Sequence, residues 1–274
     1  VAAALMDAEI GRTKSRPLPT LDAYTLLLGA IGLMHRSDPR DFARSREALE
    51  QLVERYPRYA APYAYLAEWH VFKVTQGWFT DLRREADAAR GWINRALDLE
   101  STESLELMVN GLVHTNLIRR HDIAKQSYDL ALEKNANEAL AWLHRGTLRA
   151  FQGRGREAVE DTDRAVALSP LDPWRYYYDS LRATAALAAR DYERAARLAR
   201  RSLRLNRSHA STLRVLAIAS SELGKADQAR ASIGKLRRLD PSLTVGSYLA
   251  RSPAAQYETG RLWSRALRRA GLPA

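Results

Sequence analysis

The sequence predicts an all-α solenoid of antiparallel helix hairpins, with about six repeats and a C-terminal capping helix. Two observations support this prediction. A pattern of small and apolar residues recurs about every 34 residues, and each unit opens with a helix in which a bulky residue is followed four positions later by a small one. A period of this length is typical of proteins built from stacked supersecondary units.

The recurring small residues lie on the second helix of each unit. They are Ser45, Ala89, Ala124, Ala158, Ala195 and Ala229, at intervals of 44, 35, 34, 37 and 34 residues. Two units, which start near Ala139 and Ala210, match the pattern best. The unit at 60–101 carries about ten additional residues, "KVTQGWFTDL", between its helices.

The first helices carry the paired bulky and small positions. The pairs are Tyr63 and Ala67, Leu107 and Gly111, Trp142 and Gly146, Tyr176 and Ser180, and Leu213 and Ala217. A small residue lets two antiparallel helices approach closely, while the bulky residue fills the space between neighbouring hairpins. These positions are therefore predicted to be core.

Residues 20–243 resemble an array of tetratricopeptide repeats. The resemblance rests on the 34-residue spacing and on the residue pairs above. It implies a right-handed superhelix in which the first helix of each repeat faces a concave groove. Residues 1–19 are expected to be a linker or the tail of a preceding domain, since the sequence begins with Val1.

Residues 244–274 are expected to form a capping helix and tail. Ser252 and Pro253 are typical of an N-cap followed by the first helical position. The apolar residues of this helix are Tyr257, Trp263, Leu267 and Ala270. Terminal repeats need such a helix because it shields the last hairpin from solvent.

The stretch "LSPLDPWRYYYD" at 168–179 is expected to place aromatic residues in the groove. Tyr176 occupies the bulky core position. By the resemblance, the groove residues are Met108, Leu112, Leu140, Leu143, His144, Trp174, Tyr177, Tyr178 and Arg214. This composition favours an apolar peptide or helix, or the protein's own terminal segment, as ligand over the carboxylate group that other tetratricopeptide domains clamp with Lys, Asn and Arg. Alternatively, the groove curls tightly and these residues pack against one another.

The charge is concentrated at one end of the chain. Residues 1–137 carry 18 basic and 19 acidic residues, whereas residues 138–274 carry 25 and 13. Such an end is either a solvated surface or a site for an acidic protein, nucleic acid or anionic lipid. The candidate basic surface is Arg194, Arg197, Arg201 and Arg204. These residues fall on the outer helix, away from the aromatic residues, which disfavours binding of a nucleic acid strand in the groove.

No catalytic or metal-binding constellation is found in the sequence. There are no cysteines, the six histidines lack metal-ligand spacing, and "GRG" at 153–155 has no preceding strand to form a phosphate loop. No apolar run has the 18 or more residues that a membrane span requires. We therefore expect a cytoplasmic binding protein without a cofactor rather than an enzyme.

Several phrases resemble one group of bacterial regulators more closely. These are "RPLPTLDAY" at 16–24, "LSPLDP" at 168–173, "LRRLDPSLTV" at 236–245 and "LRRAGLP" at 267–273. They are similar to the C-terminal tetratricopeptide regions that follow a class III nucleotidyl cyclase domain or a winged-helix DNA-binding domain, often with a TolB-like segment between. The resemblance implies a sensory or protein-interaction region that contacts a protein, a peptide or its own upstream domain.

Overall fold

The computed structural model describes residues 20–99 and 103–274, and all regular structure in these residues is helical. Six hairpins pair α1 (Leu21–Met34) with α2 (Pro39–Arg55), α3 (Ala60–Gln76) with α4 (Leu82–Leu97), α5 (Ser104–Val113) with α6 (His121–Lys134), α7 (Ala139–Phe151) with α8 (Gly155–Leu168), α9 (Arg175–Ala188) with α10 (Tyr192–Leu205), and α11 (Ala210–Glu222) with α12 (Ala226–Leu239). A π-helical turn, His114–Ile118, extends α5. The predicted all-α solenoid of six hairpins is confirmed.

Local capping residues fix where several of the second helices begin. Asp38 accepts hydrogen bonds from the amides of Arg40 and Asp41, and Pro39 follows it at the first helical position. Asp81 and Asp191 cap α4 and α10 in the same way. Such caps satisfy amides that have no partner inside the helix.

The small positions of the first helices allow close packing within a hairpin. A Cβ added at Gly146 would lie 2.7 Å from Cγ2 of Thr162 and 2.9 Å from the carbonyl oxygen of Ala158. A larger residue at this position would push α7 away from α8. The bulky–small pairing therefore has a steric basis in this hairpin.

Helix α3 is longer than the later first helices and reaches across the solenoid. It has 17 residues, compared with 13 in α7, 14 in α9 and 13 in α11. The amide of Ala210 donates to Oε1 of Gln76 at 3.1 Å, and Nη2 of Arg214 donates to the carbonyl oxygen of Thr75 at 3.1 Å. Nδ2 of Asn206 also donates to Oγ of Ser37 at 2.8 Å. The second hairpin thus contacts the sixth, and the solenoid closes on itself.

The C-terminal cap is more divided than a single predicted helix. It consists of α13 (Val245–Arg251), a 3₁₀ turn (Pro253–Gln256) and α14 (Glu258–Arg269). Ser252 caps the short turn, as its sequence suggested, but the longer helix begins only at Glu258. Trp263, Leu267 and Ala270 are buried in the cluster formed with α11, which shields the last hairpin.

Candidate functional site in the interior groove

The first helices of all six hairpins surround an interior groove that retains a cavity of about 120 Å³. Helices α1, α3, α5, α7, α9 and α11 contribute, in that order, Met34, Phe72, Leu112, His144, Tyr177 and Arg214. The C-terminal cap closes one part of the wall with residues such as Tyr248 and Trp263. The groove is therefore mostly filled by the chain itself and leaves one small, largely apolar space.

The residues predicted for the groove divide into two groups. Those that line the cavity are Leu112, His144, Tyr177 and Arg214. Those that lie away from it are Met108, Leu140, Leu143, Trp174 and Tyr178; Met108 and Leu143 are fully buried, whereas Leu140 and Trp174 are half-buried. A role for any of them in binding a partner stays a prediction.

The aromatic run at 174–178 spreads over two faces. Tyr176 and Tyr177 line the cavity, and Tyr176 is also buried as expected for its core position. Trp174, just before the fifth hairpin, stacks on His35 with ring centroids 4.4 Å apart. This contact joins the fifth hairpin to the first. Tyr178 is 1% exposed and packs in the same aromatic cluster.

Hydrogen bonds and ring contacts fix the orientation of the two cavity tyrosines. The hydroxyl of Tyr176 lies 2.9 Å from Nδ1 of His35 and donates to the His35 carbonyl oxygen at 3.1 Å. The ring of Tyr177 lies 5.3 Å from Phe72 and 5.7 Å from His144, measured between centroids. Both rings are held by residues distant in the chain, so the cavity depends on closure of the solenoid.

Buried ionisable groups make the interior electrostatically unusual. Burial lowers the pKa of His35, His144 and His209 to about 3, with a further contribution at His35 from His209 and at His209 from Arg214. Burial also raises the pKa of the Glu68 carboxyl to about 7. These histidines are neutral at physiological pH, and Nε2 of His144 has no hydrogen-bond partner.

Arg214 is the charged group in the cavity wall that lacks a carboxylate partner in the described structure. Its Nη2 donates to the Thr75 carbonyl oxygen and, at 2.7 Å, to Oγ of Ser211. Burial lowers its pKa to about 10, and the nearby positive charge of Arg251 contributes. Arg251 differs because it pairs with Asp240 at 2.7 Å. The cavity wall therefore carries one cation without an ion-pair partner, in a mostly apolar surround, although Asp240 favours its charged form.

Two acidic residues of α8 form ion pairs with arginines and do not form a metal-binding cluster. No group of three or more His, Asp or Glu residues in the described part of the chain could hold a metal ion. Asp161 and Asp163, which lie two positions apart, bind arginines on different helices: Arg145 of α7 and Arg182 of α9. Asp161 therefore joins the two helices of one hairpin, whereas Asp163 joins that hairpin to the next one.

Sequence reasoning missed the contribution of α3 and of the cap to the groove wall. The missed residues include Phe72, Thr75 and Gln76 of α3 and Tyr248, Arg251 and Trp263 of the cap. The signal for the α3 residues was present, because the additional residues "KVTQGWFTDL" begin inside the extended last turn of that helix. The residues that they contact across the solenoid could not be predicted from the sequence.

The predicted basic surface is partly neutralised. Arg194 pairs with Asp163 at 2.7 Å, and Arg201 pairs with the buried carboxylate of Asp179. Arg197 and Arg204 are exposed and form no ion pair with the residues that the structure describes. Binding of an anionic partner by this surface stays a prediction.

None of the helices in the described ranges is both long and apolar enough to span a bilayer. No protein-family model matches the sequence, and a search of curated proteins finds no match either.

Solved structures with a similar fold include two helical-repeat proteins. PilW, described as a widely conserved type IV pilus biogenesis factor, superposes with a TM-score of 0.52 at 16% identity, over 82% of this chain and 96% of PilW. A chain of the anaphase-promoting complex hetero-tetramer Cut9–Hcn1 gives a TM-score of 0.60 at 14% identity, over 89% of this chain and 46% of that one. This protein spans less than half the length of that chain. The likeness concerns the fold alone, and with the six hairpins it establishes an all-α, tetratricopeptide-like solenoid.

Proposed function

We propose that the chain is a protein-interaction module that receives a side chain of a peptide partner in the interior cavity. The observation that carries the proposal is the cavity itself, because six consecutive first helices each direct at least one residue to it. A convergent wall of this kind, mostly apolar with a few polar groups, is typical of binding sites.

The size of the cavity limits what can enter. Its volume of about 120 Å³ is comparable to that of cavities of roughly 150 Å³ that hold a benzene-sized group. A whole helix does not fit. We propose that the partner presents one aromatic or branched apolar side chain, while the adjoining peptide lies along the groove rim.

The polar groups of the wall would orient that ligand. Arg214 has hydrogen bonds but no ion-pair partner, and Nε2 of His144 is buried without a partner. A peptide oxygen would accept a hydrogen bond from Arg214 and, in the tautomer with its proton on Nε2, from His144, which would satisfy that buried nitrogen. Trp174, which is half-buried beside His35, would add an aromatic contact outside the cavity.

The comparison with Cut9 is compatible with a protein partner. That similarly folded protein is described in a hetero-tetramer with Hcn1. For the biological setting, we propose the sensory or interaction region of a larger bacterial signalling or transcription regulator, on the strength of the sequence phrases given above. Sequencing the reading frame upstream of Val1 tests that setting, since a nucleotidyl cyclase or winged-helix domain should precede it.

A display library of random peptides tests the binding mode. Peptides selected on the wild-type chain should bind much more weakly to Thr184→Leu, because Thr184 lines the cavity and the larger side chain would fill it. The double variant Arg197→Gln/Arg204→Gln is the matched control and should retain affinity. Equal affinity of the selected peptides for wild type and Thr184→Leu, measured by calorimetry on folded proteins, would exclude the cavity as the recognition site.

A further inference from the structure

A second cavity lies between α2, α3 and α4 and shares no lining residue with the interior groove. This basic cleft has a volume of about 610 Å³. Its wall consists of Arg46, His70, Lys73, Thr80, Arg84, Glu85, Ala88, Gly91, Trp92 and Arg95. Pockets of this size hold small-molecule ligands.

The cleft wall is more basic than the N-terminal half of the chain to which it belongs. Four cationic side chains line it with a single carboxylate, Glu85, although residues 1–137 as a whole carry 18 basic and 19 acidic residues. Arg46 bonds to Glu50 outside the wall, at 2.8 Å. Arg84 and Arg95 are exposed and pair with no carboxylate in the described structure. The positive charge here is therefore local and is not a by-product of an arginine-rich segment.

A buried histidine in the wall has an unused hydrogen-bonding atom. Nδ1 of His70 lies 2.6 Å from Oε2 of Glu85, whose other oxygen accepts from Nζ of Lys73 at 2.6 Å. His70 is 4% exposed, and its Nε2 has no partner. Glu85 thus orients the imidazole, but burial still lowers the pKa of His70 although the Glu85 carboxylate opposes the shift. With its proton on Nδ1, the neutral imidazole leaves Nε2 as an acceptor for a ligand hydroxyl.

The floor of the cleft is a stripe of α4 that is small in the middle and basic at both ends. Arg84, Ala88, Gly91 and Arg95 follow one another at spacings of four, three and four, which places them on one face of the helix. A Cβ added at Gly91 would meet nothing within 4 Å, so no packing contact requires glycine there. Glycine weakens a helix interior, but it lets a ligand approach the backbone closely.

We propose that this cleft binds the phosphate groups of a soluble small molecule. Arg84 and Arg95 would hold phosphate oxygens through paired N–H donors, while Lys73 would add charge from the opposite wall. Phosphate fits better than a single carboxylate because it carries more charge and more acceptor oxygens, and four cationic side chains line the cleft. Trp92, which is half-buried in the same wall, offers an aromatic face to an organic part of the ligand.

Calorimetric titration of the full chain with inorganic pyrophosphate at low salt tests this proposal. Wild type should bind, and Arg84→Gln/Arg95→Gln should bind about tenfold more weakly or worse, because two charge-assisted contacts are lost. Gly91→Leu should also block binding, since the side chain would extend into the open space of the cleft.

Arg197→Gln/Arg204→Gln is the matched control, because it removes two exposed arginines of α10 and leaves the cleft intact. Its pyrophosphate affinity should equal that of wild type. An equal loss in this control, or no binding of pyrophosphate to wild type, would refute the site. Binding only to vesicles that contain phosphatidic acid would refute the soluble ligand.

Discussion

At the scale of single residues, the most consequential groups are ionisable side chains that the fold holds neutral. His35, His144 and His209 have pKa values lowered to about 3 by burial, whereas burial raises that of Glu68 to about 7. These shifts affect stability in opposite directions, because stability changes with pH wherever the folded and unfolded chains bind different numbers of protons.

The three histidines should make the protein less stable in acid. Between about pH 6.5 and pH 3, these histidines bind protons in the unfolded chain but not in the folded chain. The free energy of unfolding is therefore unaffected by these groups above pH 6.5. As the pH falls below that value, it decreases by at most about 1.4 kcal/mol per pH unit for each histidine. Glu68 opposes this between about pH 4.5 and 7, where the folded chain retains a proton that the unfolded chain releases.

Urea unfolding between pH 6 and pH 4.5 separates the two effects. His144→Phe should make the dependence of the unfolding free energy on pH shallower, since one group that binds a proton only in the unfolded chain is removed. Glu68→Gln should make it steeper, since the opposing group is gone. The same slope in both variants and wild type would show that these groups are not held neutral.

At the scale of elements, the extended α3 and the turn that follows it decide how the second hairpin meets the cap. Gly77 ends α3 with a φ of 87°, in the left-handed region. A Cβ at this position would lie 3.0 Å from Oδ2 of Asp240, which pairs with Arg251. The turn therefore requires glycine for its backbone conformation and for its close approach to that ion pair.

Two glycine-to-alanine changes should have opposite effects on stability. Gly77→Ala should lower the free energy of unfolding by about 1–2 kcal/mol, because alanine is strained in the left-handed region. Gly91→Ala, in the open face of α4, should raise it by about 0.5–1 kcal/mol, because alanine is the better helix former. Chemical denaturation of both variants measures this, and effects of the same sign would contradict the structure of one of the two sites.

At the scale of the whole molecule, closure distinguishes this chain from an open repeat array. In an open solenoid each repeat contacts only its neighbours. Here Gln76 and Thr75 of the second hairpin bond to Ala210 and Arg214 of the sixth, and Arg119 donates to the carbonyl oxygen of Ala250 in the cap. Distant hairpins should therefore be energetically coupled.

Hydrogen exchange tests this coupling. Gln76→Ala removes the acceptor for the Ala210 amide, so exchange at the start of α11 should become faster although the change lies in α3. Gln152→Ala, at the end of α7, is the control and should leave α11 unchanged, since Gln152 makes no side-chain hydrogen bond in the described structure. Unaltered exchange of α11 in Gln76→Ala would mean that the contact between Gln76 and Ala210 does not couple the second hairpin to the sixth.

The sequence by itself determined the features that depend on local spacing. The 34-residue period predicts six hairpins, and Ser252 and Pro253 predict a helical start near the C-terminus. Tyr176 is identifiable as core from its position in the repeat. These inferences succeed because helix amphipathicity, capping and the packing of adjacent hairpins involve residues close together in the chain.

Only the tertiary structure decided which residues meet across the solenoid. Leu112, His144, Tyr177 and Arg214 line the cavity, whereas Trp174 turns to His35 and Tyr178 is buried away from it. Likewise, only the folded chain shows that Asp163 and Asp179 neutralise Arg194 and Arg201. The small rotation between successive repeats accumulates along the array, so the meeting of the second hairpin with the sixth is a sum over all the units between them.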